Sequence, residues 1–473
     1  MRISNRSKYL VVPALLSLMA VVTLVPAHAE DSDEGPFSAR NARTEIVPNT
    51  SGDRNSQGDS HQDFDVCNSA QPGEASCVAI ERAFYSRGSR ISNDLRPSAA
   101  APRVLPGYNA SQIRTAYGIT ETGTANSVIA IVDAYSYPTA LADLNAYRAN
   151  YGSDTTALTA CTISNSSPVF PTTTTGRGCF AQVSQLGRTN NLPRSNTGWN
   201  QEAALDIEMA TAICPNCSIL LVAANSASFA DLNTAVGAAK NFSNVKAISN
   251  SYGGADFAES GLGRTDNYQI AARMGIAVTA SSGDTGYGVS APASFTNVIG
   301  VGGTTLNLKS DNTRLAESVW YTSTTARNGR VTISGTGSGC STLNLIPLAQ
   351  SSTPTTTTCA GKAISDISAV ADPATGVGVI YNNGSYVFGG TSVASPIIAS
   401  MFAASAFAPS GTTYANSLLW RASVRSNYYD VVVGKNLASC PTNNKLCSAF
   451  GVGGGWDGPT GFGTPNGTVV FRP

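Results

Sequence analysis

Histidine is almost missing from this chain. Of 473 residues only His28 and His61 are histidines, the first in the N-terminal apolar leader and the second within the polar extension that follows it. No imidazole can therefore act as a base inside the body of the protein. Charge is scarce as well. Only 13% of residues are charged, 30 basic and 30 acidic side chains cancel to a net charge of zero, and no basic run exceeds a pair. Nucleic acid demands a basic footprint, so that class of partner is excluded. Cys214-Pro215-Asn216-Cys217 has no second Cys-x-x-Cys to accompany it, and with histidine so rare a zinc site is excluded too. Past the N-terminus no apolar run is long enough to cross a bilayer, and nothing repeats internally.

What is present points to export. Hydrophobic residues make up 42% of the chain and glycine contributes 45 positions, a balance that fits a loop-rich extracellular protein. Arg2, Arg6 and Lys8 precede an apolar run over residues 9–25, and Ala27-His28-Ala29 places small residues where a leader is cut. Residues 1–29 therefore read as a signal peptide, leaving a mature chain with no membrane segment. Ten cysteines fall into sequence neighbours: Cys67 with Cys77, Cys161 with Cys179, Cys214 with Cys217, Cys340 with Cys359, and Cys440 with Cys447. An even count in an oxidising compartment predicts five local disulfides.

Residues 30–106 are polar, with stretches such as Asp31-Ser32-Asp33-Glu34 that cannot bury a core. They read as an N-terminal extension or propeptide holding one small structured piece at about residues 67–85. From residue 107 the texture changes. Short β-branched runs at 127–132, 219–222, 245–249, 276–280 and 298–301 alternate with helix-like segments at 138–151, 200–213, 229–241 and 264–274. Buried strands alternating with helices predict an α/β fold, a mostly parallel sheet with helices on both faces. One domain is expected over 107–473, with its site at the carboxyl ends of the strands.

The sharpest local signal is Phe388-Gly389-Gly390-Thr391-Ser392-Val393-Ala394-Ser395-Pro396, followed by an apolar run to residue 407. Two glycines allow a tight turn, and proline suits the first turn of a helix. Ser392 is thereby expected at a helix N-terminus, where free N–H groups can hold an oxyanion; an ordinary N-cap serine would look the same. With histidine excluded, a nucleophilic serine needs a carboxylate or an amine as its base. Glu202 and Asp206 stand four apart in Gln201-Glu202-Ala203-Ala204-Leu205-Asp206, on one face of an otherwise apolar and hence buried helix. Two buried carboxyls so close should share a proton. The alternative is a pair at a solvated helix end.

Together these strings resemble one family. Gly-Thr-Ser-x-x-x-Pro at residues 390–396 is similar to the nucleophile motif of subtilisins and sedolisins, and Glu-x-x-x-Asp at 202–206 is similar to the helix motif of the sedolisins, the serine-carboxyl peptidases. The likeness spans roughly residues 107–473. It implies a subtilisin-like fold with Ser392 as nucleophile, Glu202 as general base and Asp206 as the acid that orients it. Asp284, in Ser281-Ser282-Gly283-Asp284-Thr285, matches the oxyanion-hole aspartate; a turn aspartate is the plainer reading. Tyr429-Asp430-Val431 and Gly453-Gly454-Gly455-Trp456-Asp457 resemble the family's calcium loop, implying Ca2+ held by Asp430 and Asp457 with the carbonyls of Val431, Gly453 and Gly455. Asp133, which ends the first strand with no histidine to orient, is expected to shape the site or bind substrate. The extension is far shorter than the propeptide usual in the family.

The resemblance implies a secreted, monomeric endopeptidase acting on proteins or peptides in acid. A secreted binding or adhesion protein on an inactive peptidase scaffold is the rival reading. An esterase is excluded, because no Gly-x-Ser-x-Gly elbow with its histidine exists.

Overall fold

The strand Val128–Ala134 is buried at every position, which only a sheet covered on both faces allows. It lies between Val245–Asn250 and Ser218–Ala224 in a nine-stranded sheet, with Ala277–Ser281, then Ile299–Leu308, beyond the first and Cys179–Ser184 beyond the second. All of these pairings are parallel. Arg314–Val319 folds back antiparallel on Ile299–Leu308 to close one edge. Each expected strand and helix of this core is found, most with ends displaced by a few residues, while the strand expected at 298–301 runs on to Leu308. Helices Thr197–Ile213 and Thr391–Ala404 pack together on the sheet, and Phe229–Ala239 packs with Asn267–Arg273 against the same central strands without meeting the first pair, so both faces are covered. All fourteen residues of Thr391–Ala404 are buried. Each large apolar side chain there, such as Ile397 or Phe402, stabilises the fold by about 1.5–3 kcal/mol.

The structure, a computed structural model, describes residues 60–86, 89–90 and 106–473, apart from 172–175, 264, 326–330, 352–358, 406, 442 and 450–454. The expected signal peptide and part of the expected extension lie outside those residues. The described ones belong to one unit, Pro36–Pro473. All five neighbouring cysteine pairs are disulfides.

The structured piece of the expected extension is larger than the composition implied, and it packs into the domain rather than preceding it. Ser60–Asp65 and Ile80–Ser86 pair antiparallel, and Ile80–Ser86 pairs in turn with Gly384–Gly389. Ser76–Cys77 pairs antiparallel with Tyr252–Ala255. Phe64, Val66, Ala75, Ala79, Ile80 and Ala83 are buried by these contacts. Their apolar positions are too few and scattered to signal a core alone, because the partner surfaces come from residues far along the chain, at Tyr252–Ala255 and Gly384–Gly389. His61 lies in the outer strand of that sheet, with Ile80–Ser86 between it and the strand leading to Ser392.

Candidate active site

Three parallel strands end on one crevice. Val128–Ala134 delivers Asp133, Val245–Asn250 runs on into Ser251, and Ala277–Ser281 runs on into Ser282-Gly283-Asp284. Val128–Ala134 is also where the winding of the sheet reverses, and such switch points open a crevice at the carboxyl ends of the strands.

Ser392 is the second residue of its helix. Gly390, the N-cap, has φ 96°, a left-handed conformation that favours glycine. A Cβ there would collide with the Val78 carbonyl oxygen and come within 2.6 Å of Asp284 Oδ2, so only glycine lets those groups approach. The helix begins at Thr391, and Pro396 therefore falls in its second turn rather than the first. Proline has no N–H for the carbonyl four residues back, which is that of Ser392. Ser251 fills the vacancy, its hydroxyl donating to the Ser392 carbonyl at 3.5 Å. The Ser392 hydroxyl donates back to the Ser251 carbonyl at 3.3 Å. A proline in the serine motif thus ties the serine to the end of a neighbouring strand.

The carboxyls sit on Thr197–Ile213, which Asn196 caps by accepting from the Trp199 N–H and which is buried from Trp199 onward. Glu202 and Asp206 face the same crevice as Asp133. Burial, followed by repulsion from Asp133, pushes Glu202 well above the usual carboxyl range. The nearby Ser392 hydroxyl and the Ala79 N–H oppose that by favouring its ionised form. Glu202 Oε2 accepts from the Ala79 N–H at 2.9 Å, and Oε1 accepts no hydrogen bond. Asp206 is pushed up by burial and by both other carboxyls, with the Ser251 hydroxyl opposing. Asp133 is pushed up to about 8 by burial, and neither of its oxygens accepts a hydrogen bond. Three buried carboxyls with so few donors favour shared protons over three separate charges. Such a cluster can take a proton from a hydroxyl and return it.

Asp284 is fixed by the residue before the serine. Its Oδ1 accepts the Thr391 N–H at 2.8 Å and the Thr391 hydroxyl at 2.7 Å. With Oδ1 committed to accepting, Oδ2 is the oxygen that would carry a proton, on the side of Gly390. All four sequence-derived residues, Glu202, Asp206, Asp284 and Ser392, come together here.

The expected metal loop is partly described. Asp430, Val431, Gly455 and Asp457 line one small depression with Lys445 and Trp456, and Gly453 lies outside the described residues. Asp430 Oδ2 accepts the Gly455 N–H at 2.9 Å, while Asp457 accepts the Thr460 N–H and hydroxyl. Burial pushes Asp457 well above the usual carboxyl range, and Asp430 adds to it. Among the described residues no three His, Cys, Asp or Glu side chains are grouped to hold a metal, so a cation here would rest on two carboxylates and backbone carbonyls.

Sequence reasoning missed Ser251, Thr391 and the pair Val78-Ala79. Ser251 was recoverable as a polar run, Asn250-Ser251, directly after a buried strand. Val78 and Ala79 carried no such signal, because their partners are set only by the tertiary fold.

A family model described as the subtilase family matches residues 189–444. Kumamolisin from Bacillus sp. (strain MN-32) is 28% identical over 311 residues, 61% of this chain and 53% of kumamolisin. Sedolisin from Pseudomonas sp. (strain 101) is 34% identical over 215 residues, 42% of this chain and 34% of sedolisin. The solved structure of Pseudomonas sedolisin, a serine-carboxyl proteinase complexed with pseudo-iodotyrostatin, superposes with a TM-score of 0.59 at 26% identity, covering 77% of this chain and 96% of that one. The chain belongs to the subtilase family, and within it the likeness runs to the sedolisin members. It spans about half the length of kumamolisin and a third of sedolisin.

Proposed function

We propose that the chain is a secreted serine-type endopeptidase that cuts proteins or peptides in acid through an acyl-enzyme. The observation that carries this reading is the meeting of Ser392 and Glu202 in a buried crevice that, among the described residues, offers the serine no imidazole. Ser392 Oγ attacks the substrate carbonyl carbon while ionised Glu202 takes its proton and later passes it to the leaving nitrogen. Asp206 orients Glu202. Neutral Asp284 and the Ser392 N–H, unpaired in the first helical turn, donate to the oxyanion.

Acid dependence follows from these roles. Asp284 donates only while protonated, and Glu202 accepts only while ionised, so the rate should be bell-shaped, with its maximum at roughly pH 3–5 for carboxyls near their reference values. The upward push on Glu202 moves the acid limb to higher pH than a carboxyl at its reference value would give. Secretion is supported by the leader-like N-terminus and the five disulfides. Among the described residues no helix is long and apolar enough to cross a membrane. A calcium ion at Asp430, Asp457, Val431 and Gly455, with Gly453 as a further carbonyl donor, would tie the C-terminal loops together. Hard oxygen donors of this kind fit it.

The test is hydrolysis of a peptide library from acid to neutral pH, beside Ser392→Ala. Cleavage confined to acid and lost in the variant supports the reading. Equal cleavage by both proteins, or a maximum above neutrality, contradicts it.

A further inference from the structure

One side chain beside the crevice is held in a conformation that its own bulk opposes. Tyr135, two residues after Asp133, has φ 67°. That left-handed region suits glycine, and a bulky side chain there is strained. Hydrogen bonds fix the backbone around it. The Tyr135 N–H donates to the Ala224 carbonyl at 2.7 Å, and the Ser136 N–H donates to the Arg194 carbonyl at 3.1 Å. The Tyr137 N–H donates to Gln182 Oε1 at 2.7 Å. Such strain persists only where the surroundings over-determine it, and it gathers at active sites and ligand clamps.

The half-buried Tyr135 ring joins a run of aromatic contacts that ends beside the nucleophile. It meets Trp199 in a T-shaped contact with centroids 6.4 Å apart, and Trp199 packs on Tyr252 at 6.2 Å. Tyr252 follows Ser251, which exchanges hydrogen bonds with Ser392. Over the Tyr135 ring lies the exposed Arg194, its guanidinium 5.5 Å from the centroid, within the range of a cation–π contact. Among the described residues that guanidinium has no carboxylate partner. Residues 155–201 hold three arginines and no acidic residue, so no neighbour along the chain neutralises it.

The strand Tyr252–Ala255 offers an edge on which an extended peptide can lie, as Ser76 and Cys77 do opposite Gly253 and Tyr252. Added-strand pairing of this kind is a common way of holding peptides. Cys77 is joined to Cys67, and Cys67 lies against Gly198, the residue before Trp199. A side chain opposite Tyr252 is thus directed toward the first turn of Thr197–Ile213 and the aromatic run that starts there.

We propose that Arg194, stacked on Tyr135, selects peptide substrates that carry an acidic side chain on the N-terminal side of the cut bond. This rests on the proposed peptidase reading and adds a specificity determinant to it. The planar guanidinium fork matches a carboxylate, and the ring beneath holds it in place, so less freedom is lost on binding. The other ionisable groups of these elements are Arg188, on the same loop, and Asp133, Glu202, Asp206 and Glu208. Burial favours the neutral forms of all four carboxyls. Asp65, on the neighbouring extension, lines the cavity that Asp284 also lines.

The test uses the full chain and pairs of peptides that differ only in Glu or Gln at one position before the cut bond. The readout is the ratio of kcat/KM within each pair, in which the enzyme's own titration cancels. At one position the ratio should stand near one at about pH 3 and rise to about fivefold at about pH 5, as the substrate glutamate ionises. Arg194→Gln should hold the ratio near one throughout, and Arg194→Glu should favour Lys over Gln at that position. Tyr135→Gly relieves the backbone strain and leaves the charge, so it should keep its melting temperature and lose much of the ratio. A wild-type ratio of one at every position, or a ratio unchanged in Arg194→Gln or in Tyr135→Gly, overturns the inference and leaves the peptidase reading standing. Hydrolysis of no peptide at any pH overturns both.

Discussion

The Ala79 N–H donates to Glu202 Oε2 across 123 residues of sequence. A base buried among other carboxyls thus has one backbone donor, and that donor belongs to a segment whose composition marked it as irregular. The contact partly offsets the burial of Glu202, and any group replacing Ala79 in the crevice should be another amide N–H.

Glu202→Gln tests the base. The variant keeps an acceptor for Ala79 but cannot take a proton, and peptide hydrolysis should fall by about 10²–10⁴-fold with the melting temperature held or raised. A loss below tenfold would move the base elsewhere, a lysine being the next residue type to examine.

Asp284→Asn tests the oxyanion donor. Asparagine donates at every pH, so the alkaline limb of the rate profile should move upward even where the maximum falls. An unmoved alkaline limb in a variant of normal stability would remove Asp284 from that role.

Buried carboxyls also set the pH dependence of stability. Asp133, held at about 8, and Glu81, pushed to about 7 mainly by burial, bind protons more tightly folded than unfolded. A raised folded value gives stability that is complete below the unfolded value, near 4, and that is lost as pH rises through the folded value. Melting temperature, measured in Ser392→Ala to prevent self-digestion, should therefore fall between about pH 4 and pH 8. Asp133→Asn in that background should recover about 1–3 kcal/mol at pH 8 and little at pH 4. A melting temperature that rises over this interval would contradict the carboxyl assignments.

Calcium should behave oppositely. Asp457 must lose its proton to bind, so stabilisation by the ion should grow with pH, reaching about 2.7 kcal/mol at a hundredfold excess over the dissociation constant. Asp430→Ala should abolish it. Identical melting with calcium and with chelator at pH 8 would dismiss the site.

Much of this was legible in the sequence because it is local. The strand Val128–Ala134 announces burial by composition alone, Glu202 and Asp206 meet through helical spacing, and neighbouring cysteines close short loops. Pro396 was misplaced by one turn because helix onset depends on Gly390, whose left-handed backbone and lack of a Cβ leave room for Val78 and Asp284. The structured piece at about residues 67–85 was legible, but the pairing of Ile80–Ser86 with Gly384–Gly389 was not, because that partner lies beyond the reach of any periodicity.

The most direct test of the central claim is covalent. Protein mixed with a peptide substrate in acid, quenched during turnover and digested for mass spectrometry, should carry the acyl group on Ser392. Hydrolysis that proceeds with no adduct on Ser392, or with one on another residue, would contradict the account.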